Sequence, residues 1–245
     1  MGLHINNLIK NYGSHDQNEQ IVLDGFNLEV KDGEFVCLLG ASGCGKSTLL
    51  NMVAGLDVVT SGQILLDGKN ITKPGPDRIY IFQEHALFPW LNVIENVKFG
   101  MKMNKVSKAE QERRALETLQ LVNLEEYAHY RVHELSGGMK QRVALARALC
   151  LDSRILLMDE PFAALDSHTR EQMQAHLLEI WKKTGKTILF VTHNISEAFD
   201  LATRVLVLNG RPAQIVEEFK GGQGRPRQET LEMMTTARTA LGLAS

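Results

Sequence analysis

An apolar run, Phe35–Leu39, leads directly into Gly40-Ala41-Ser42-Gly43-Cys44-Gly45-Lys46-Ser47, and a helical pattern opens at Lys46. The octet fits G-x-x-x-x-G-K-[ST] and has the strand before it and the helix after it that the pattern requires. Glycines let the backbone curl so that several N–H groups point inward at phosphate oxygens. The following helix adds its positive N-terminal end. Lys46 can reach the β- and γ-phosphates, the Ser47 hydroxyl can ligate Mg2+, and Thr48 is placed for a contact to the α-phosphate. The rival reading is a chance glycine-rich turn, and the flanking elements argue against it. Nucleotide binding is the expectation.

The rest of the chain alternates. Ile21–Val30 and Glu34–Leu39 read as strands around the turn Lys31-Asp32-Gly33, and Lys46–Gly55 as a helix with Leu49, Leu50, Val53 and Leu56 on one face. Ser61–Asp67 and Ile79–Phe82 read as strands. Val106–Val122 is charged and helical, with Ala115, Leu116, Leu119 and Val122 spaced for one buried face, and a second helix follows Ser136 with Met139, Val143, Ala146 and Leu149. Ile155–Met158, Thr187–Val191, Val205–Leu208 and Ala213–Glu217 read as strands, and His168–Lys183 as a long helix. This order predicts an α/β domain around a largely parallel sheet, with a helical insert near residues 90–150. Gly221–Arg227 reads as a linker into a short tail helix.

Ile155–Met158 ends in Asp159-Glu160. An acid at the C-terminal end of a parallel strand points into the crevice where ligands bind. Asp159 is expected to hold magnesium, directly or through water. Glu160 is placed to orient or deprotonate an attacking water, because phosphoryl transfer needs positioning more than covalent chemistry. The bland rival is a helix-capping acidic pair. Gln83, after Ile79–Phe82, could touch both the metal site and whatever docks on the following segment, and spacing alone leaves a solvent-facing Gln open. His193, just past an apolar strand, suits γ-phosphate contact, against a purely structural histidine. His129 and His133 lie four apart, but no third ligand is evident and Glu134 does not complete H-E-x-x-H, so a solvated helix face is expected.

Composition bounds the partners. Among 245 residues, 27 Lys+Arg against 29 Asp+Glu give a net charge of −2, which argues against nucleic acid as a partner. The length suits one large domain or two small ones. No apolar run approaches the ~20 residues of a spanning helix. The start, Met1-Gly2-Leu3-His4-Ile5-Asn6-Asn7, lacks the charged and apolar segments of a signal peptide, so a cytosolic chain is expected. Cys37, Cys44 and Cys150 are odd in number and far apart, which fits core or loop residues better than bridges.

Leu135-Ser136-Gly137-Gly138-Met139-Lys140-Gln141-Arg142 precedes the acidic strand and puts two glycines at a helix start. With the phosphate loop before it and Asp159-Glu160 after it, the chain resembles the ATPase subunits of ABC transporters over about residues 1–220. The resemblance implies an α/β P-loop NTPase (ABC ATPase) core with an antiparallel β subdomain and an inserted α-helical subdomain at about 88–150. Residues 221–245 are left as a linker and tail helix. It implies that Ser136, Gly137 and Gly138 contact ATP held by a second copy in a head-to-tail dimer. Ala164-Leu165-Asp166 looks like the loop that communicates between the two sites. Tyr12 looks like the aromatic that stacks on adenine, with an edge-strand tyrosine as its rival. Two positions depart from the family pattern: Asn194 where Asp is common, and Ala163 where Ser or Gly is usual.

Leu87–Val93, Leu165–Arg170 and Arg225-Pro226-Arg227 resemble the nitrate, sulfonate and taurine importer branch. The implied activity is hydrolysis of ATP with Mg2+, powering uptake of a small anion at the cytoplasmic face of the membrane. The implied partners are a second copy, integral-membrane permease subunits and, indirectly, a substrate-binding protein. The permease is expected to insert a short helix near Gln83–Val97, where Phe88, Trp90 and Leu91 are apolar anchors, with a core role for Trp90 equally open. A soluble ABC-type ATPase of iron–sulfur cluster assembly is the alternative, and the Leu87–Val93 segment argues against it. Chromosome-maintenance ATPases place long coiled coils between phosphate loop and signature, and sustained heptads are absent here. A translation-associated relative would carry two such domains.

Overall fold

The computed structural model describes residues 2–13, 20–83 and 86–243. In chain order they form β1 (Gly2–Tyr12), β2 (Gln20–Lys31), β3 (Phe35–Gly40), α1 (Lys46–Ala54), β4 (Ser61–Leu66), β5 (Lys69–Asn70), β6 (Arg78–Ile81), α2 (Val93–Met103), α3 (Lys108–Leu121) and α4 (Gly137–Leu149). The order continues with β7 (Ile155–Asp159), α5 (Ser167–Thr184), β8 (Thr187–Thr192), α6 (Ile195–Leu201), β9 (Arg204–Asn209), β10 (Gln214–Lys220) and α7 (Arg227–Ala240). Short 3-10 turns occupy Glu125–Tyr127 and Val132–Glu134. Met1, Ala244 and Ser245, at the ends of the ranges read from sequence, lie outside the described residues. None of the described helices is long and apolar enough to cross a membrane.

The chain divides into two units. The first comprises Met1–Gly75, Leu157–Asp159 and Gly185–Ser245. Its central sheet runs β10-β9-β3-β8, with the end of β7 beyond β8. β3 pairs in parallel with both β8 and β9, so Phe35 faces Ile188, Leu39 faces Thr192 and Gly40 faces Leu208. Every residue of β3 and of β8 is buried, as expected of continuous apolar runs in a parallel sheet covered on both faces. The second sheet, β2-β1-β4-β5, is antiparallel. Along β2 the even positions Phe26, Leu28 and Val30 are buried and Asn27, Glu29 and Lys31 between and after them are exposed, the mark of a sheet wet on one side.

β1 is absent from the sequence reading, and its burial pattern explains why. Leu3 and Ile5 are buried, then Leu8 and Lys10. The inward face switches from odd to even positions across Asn6-Asn7, where the β1–β2 register slips and Asn7 takes φ +49°. A bulge of this kind breaks the period of two on which strand recognition depends.

The second unit comprises Pro76–Leu156 and Glu160–Thr184. Here β6 meets the start of β7, and the Asp77 carbonyl accepts from the N–H groups of Arg154 and Ile155. α2, α3 and α4 pack on one another. α2 also escaped the sequence reading. It opens with a complete capping box, in which Asn92 accepts from the Glu95 N–H at 2.9 Å and Glu95 accepts from the Asn92 N–H at 2.9 Å. What hides it is Asn96, a polar residue at a core-facing position that is fully buried. The Asn96 amide is satisfied locally: it accepts from the Phe88 N–H at 2.8 Å and donates to the carbonyls of Phe88 and Asn92 at 3.2 and 2.9 Å.

Several finer expectations are corrected. Leu116 is 40% exposed, because α3 turns Ala115 and Leu119 inward. Leu56 lies beyond α1, which ends at Gly55 with φ +75°, and is exposed. Phe82 falls outside β6 and is exposed. His129 and His133 are exposed in a turn and a 3-10 turn, so they share no helix face. α6, with seven residues, is too short to display a helical period. Cys37, Cys44 and Cys150 are free thiols and buried.

The Gly221–Arg227 segment is docked on the first unit. Gly221 donates its N–H to the Thr203 carbonyl at 2.7 Å and Gly222 to the Phe199 carbonyl at 2.9 Å. A Cβ at Gly221 would lie 1.6 Å from the Ala202 carbonyl oxygen. Backbone cannot move aside as a side chain can, so Gly221→Ala is expected to cost about 3 kcal/mol. A urea unfolding midpoint shifted down with unchanged slope is the measurement that checks it.

Candidate active site

The first unit builds the phosphate loop from the end of β3. The backbone reverses through Gly43 at φ +76° and Gly45 at φ +107°, conformations that a Cβ would strain. Ala41, Ser42 and Gly43 are exposed at the rim, whereas Lys46 is only 4% exposed. Its ammonium folds back over the loop and donates to the carbonyls of Gly40 and Ala41, both at 2.8 Å. The Cys44 thiol is buried beside it, 4.0 Å from Nζ. These bonds hold a desolvated cation at the mouth of the loop, where phosphate oxygens could replace the carbonyls.

Ser47 and Asp159 are brought together from positions 112 residues apart in the chain. The Ser47 hydroxyl donates to Asp159 Oδ1 at 3.0 Å. Both oxygens are hard donors of the kind Mg2+ selects. Thr48 is half-buried on the next turn position.

His193 follows β8 and is exposed. Its neighbours form a closed hydrogen-bond ring. The Thr192 hydroxyl donates to Glu197 Oε2 at 2.6 Å, the Asn194 N–H donates to Thr192 Oγ1 at 3.0 Å, and the Glu197 N–H donates to Asn194 Oδ1 at 3.2 Å. Asn194 is thereby the N-cap of α6. Asn and Asp cap helices about equally well, so the departure at this position keeps the backbone on which His193 sits. Sequence reasoning passed over Thr192 and Glu197, although the spacing Asn194-x-x-Glu197 is a capping signature.

Tyr12 ends β1 and is 43% exposed. Its hydroxyl donates to Asp57 Oδ2 at 2.5 Å, and the Lys10 ammonium lies over the ring, 4.4 Å from its centroid. Burial and the bond to Asp57 push the phenol above its usual pKa, against a smaller opposing contribution from Thr48.

The second unit carries the other sequence-derived candidates. Gln83 is exposed just after β6. Glu160 is half-buried and adopts φ +45°, rare for a residue with a Cβ. Such a conformation persists where the surrounding structure over-determines the backbone, a signal invisible in sequence. Ser136 caps α4 by accepting the Met139 N–H at 3.3 Å. Ser136 and Gly137 are exposed, whereas Gly138 is buried, and a Cβ there would meet Thr169 Cγ2 at 2.6 Å. Asp166 accepts the Thr169 N–H at 3.0 Å, and its bonds to Thr169 hold the carboxyl below its usual pKa. Ala163 donates its N–H to the Glu160 carbonyl at 3.1 Å. Trp90 is 68% exposed, which removes the core alternative.

Comparison with known proteins matches this arrangement to one family. The ABC transporter family pattern covers residues 23–163. An uncharacterized ABC transporter ATP-binding protein of Methanocaldococcus jannaschii is 47% identical over 93% of this chain and 85% of its own. The taurine import ATP-binding protein TauB of Rhizobium johnstonii is 52% identical over 80% and 75%. The nitrate import ATP-binding protein NrtD of Synechocystis is 46% identical over 87% and 82%. Among solved structures, a dimeric ATP-binding cassette in a post-hydrolysis state with ADP and Pi superimposes with a TM-score of 0.77 at 34% identity, covering 91% of this chain and 99% of that one.

The capping role of Asn194 has a direct test. Asn194→Ala should lose about 1 kcal/mol of stability, whereas Asn194→Asp should stay within a few tenths of the parent. Thermal unfolding of the two variants side by side distinguishes them.

Proposed function

The chain belongs to the ABC transporter family as the ATP-hydrolysing subunit of an importer, and on that premise we propose that its cargo is a small anion such as taurine, another sulfonate or nitrate. The observation that carries the site chemistry is the 3.0 Å contact between Ser47 and Asp159, together with the buried Lys46 in the same loop. Two hard oxygens and one cation support the reading, because a metal-bound nucleoside triphosphate requires groups of these kinds. The ATPase domain is read as residues 1–220, with a helical subdomain at about 88–150 and a tail at 221–245.

In this reading the loop Gly40, Ala41, Ser42, Gly43, Cys44, Gly45 cradles the phosphates with backbone N–H groups, and Lys46 neutralises the β- and γ-phosphates. Thr48 supports the α-phosphate. Ser47, Asp159 and Gln83 would hold Mg2+, which supplies charge neutralisation on the phosphate oxygens. Glu160 orients water for in-line attack on the γ-phosphorus and takes its proton. The bond to the β–γ bridging oxygen breaks, and ADP leaves with the electron pair. His193 hydrogen-bonds the γ-phosphate. Tyr12 stacks on the adenine. Ser136, Gly137 and Gly138, at the start of a capped helix, close over nucleotide held by a second copy, and Ala164-Leu165-Asp166 links the two sites.

The subunit is membrane-associated through permease partners, and we place it on the cytoplasmic face, with a substrate-binding protein acting on the far side. The permease segment is assigned to Gln83–Val97, of which Glu84 and His85 lie outside the described residues. Support comes from the exposed Trp90 on an aromatic cluster with Phe88 and Phe99, whose ring centroids lie 5.5 and 4.3 Å from that of Phe88. Beside it opens a cavity of about 510 Å³ whose lining includes Trp90, Phe99, Lys98 and Lys102. The iron–sulfur assembly alternative is not favoured, since TauB and NrtD, relatives of stated role, are import subunits.

Lys46→Ala should lower ATPase turnover by about 10²–10³-fold, because a charge aimed at the phosphates is removed; unchanged turnover would refute the phosphate-loop assignment. Glu160→Gln should bind ATP and turn over about 10²-fold more slowly or worse, accumulating an ATP-bound dimer visible by size-exclusion chromatography. For the partners, the tagged chain should co-purify from membranes with an integral-membrane permease. Recovery with soluble proteins alone would overturn the transport assignment.

A further inference from the structure

We propose that Asp57 and Lys10 are positioning residues for Tyr12, fixing its ring as the platform on which the nucleobase stacks. The inference rests on the reading of Tyr12 as that platform and adds what holds it there.

Three groups form one closed cluster. Lys10 is 5% exposed, and its ammonium donates to Asp57 Oδ1 at 2.7 Å and to the Val58 carbonyl at 2.8 Å. The same ammonium lies over the Tyr12 ring. Asp57 divides its carboxylate: Oδ1 takes Lys10 and the Val58 N–H, and Oδ2 takes the Tyr12 hydroxyl. A tyrosine side chain has two torsions, and a bond at its tip together with a cation on one face removes both freedoms. The occupied face turns the stacking surface to the opposite side. A tyrosine that merely ends a strand needs neither constraint.

The anchor also ties base recognition to phosphate recognition. Asp57 lies just past the Gly55 cap of α1, and its N–H still donates to the Asn51 carbonyl of the last turn at 3.3 Å. The helix that begins with Lys46 and Ser47 is therefore hydrogen-bonded at its far end to the residue that holds Tyr12. Its length sets the separation between cradle and platform, so the ring is positioned relative to the phosphates before any ligand arrives. Pre-organisation of this kind raises affinity by removing ordering cost.

The test compares two ligands on the intact chain, ADP and inorganic pyrophosphate, by calorimetric titration with Mg2+. Pyrophosphate has the phosphates without the base. Tyr12→Phe removes the tether and keeps both the ring and the Lys10–Asp57 pair, so it should fold normally. It is expected to weaken ADP about fivefold, a stacking-sized effect, and to leave pyrophosphate unchanged. Asp57→Ala should weaken ADP at least as much, because it also removes the anchor of Lys10, and adding Tyr12→Phe to it should cost less than Tyr12→Phe costs alone, since the hydrogen bond they share is already gone. Tyr12→Ala should weaken ADP about tenfold. If Tyr12→Ala weakens ADP and Tyr12→Phe does not, the positioning role is overturned while the platform stands. If Tyr12→Ala leaves ADP affinity intact, the platform itself is refuted. A parallel loss of pyrophosphate affinity in Tyr12→Phe would reassign the cluster to loop structure and also overturn the inference.

Discussion

Parallel pairing of β3 between β8 and β9 is the constraint from which the first unit's chemistry follows. Parallel strands end at the same edge of a sheet, and the loops after them converge there. With Leu39 opposite Thr192 and Gly40 opposite Leu208, the phosphate loop leaves β3 level with the turn that carries His193. β7, next to β8, delivers Asp159 to the same edge, near enough for the hydroxyl of Ser47. A slip of one register step would move these groups by a strand residue, about 3.3 Å, which is more than a hydrogen bond tolerates. Close packing of the fully buried β3 and β8 on both faces resists the slip.

Capping supplies the second layer of order. Asn92, Ser107, Ser136 and Asn194 each accept a backbone N–H at the start of a helix. Two of them, Ser136 and Asn194, stand at loops to which function is assigned. The same short polar residues that end strands and loops thus also set the direction in which the following helix leaves. Asn194, where the resemblance to the family leads to the expectation of Asp, is itself the cap, and Asn and Asp cap helices about equally well.

Much of this was legible before any coordinates. Continuous apolar runs gave β3, β7, β8 and β9 within a residue or two, because fully buried strands need no alternation to be seen. The loop Gly40–Ser47 announced itself because few backbones can wrap a phosphate. What stayed hidden was hidden for specific reasons. Asn6-Asn7 shifted the phase of β1, and Asn96 put a polar side chain where α2 faces the core. The positive φ of Glu160 leaves no trace in residue identity. Lys10 and Asp57 are far apart in sequence, and neither lies in a recognisable motif; only folding brings them to one aromatic ring.

One contrast among the helices carries a thermodynamic corollary. The helix opened by Lys46 is preceded by Gly45, which has no side chain to offer its first turn, unlike the four helices capped by Asn or Ser. On the proposed reading the missing acceptor arrives with the nucleotide, whose phosphate oxygens do for α1 what Ser136 does for α4. Ligand occupancy and folding are then linked equilibria. The native state gains RT ln(1 + [L]/Kd) from free nucleotide, so the energy charge of the surrounding solution becomes one of the quantities that determine how much of this chain stays folded.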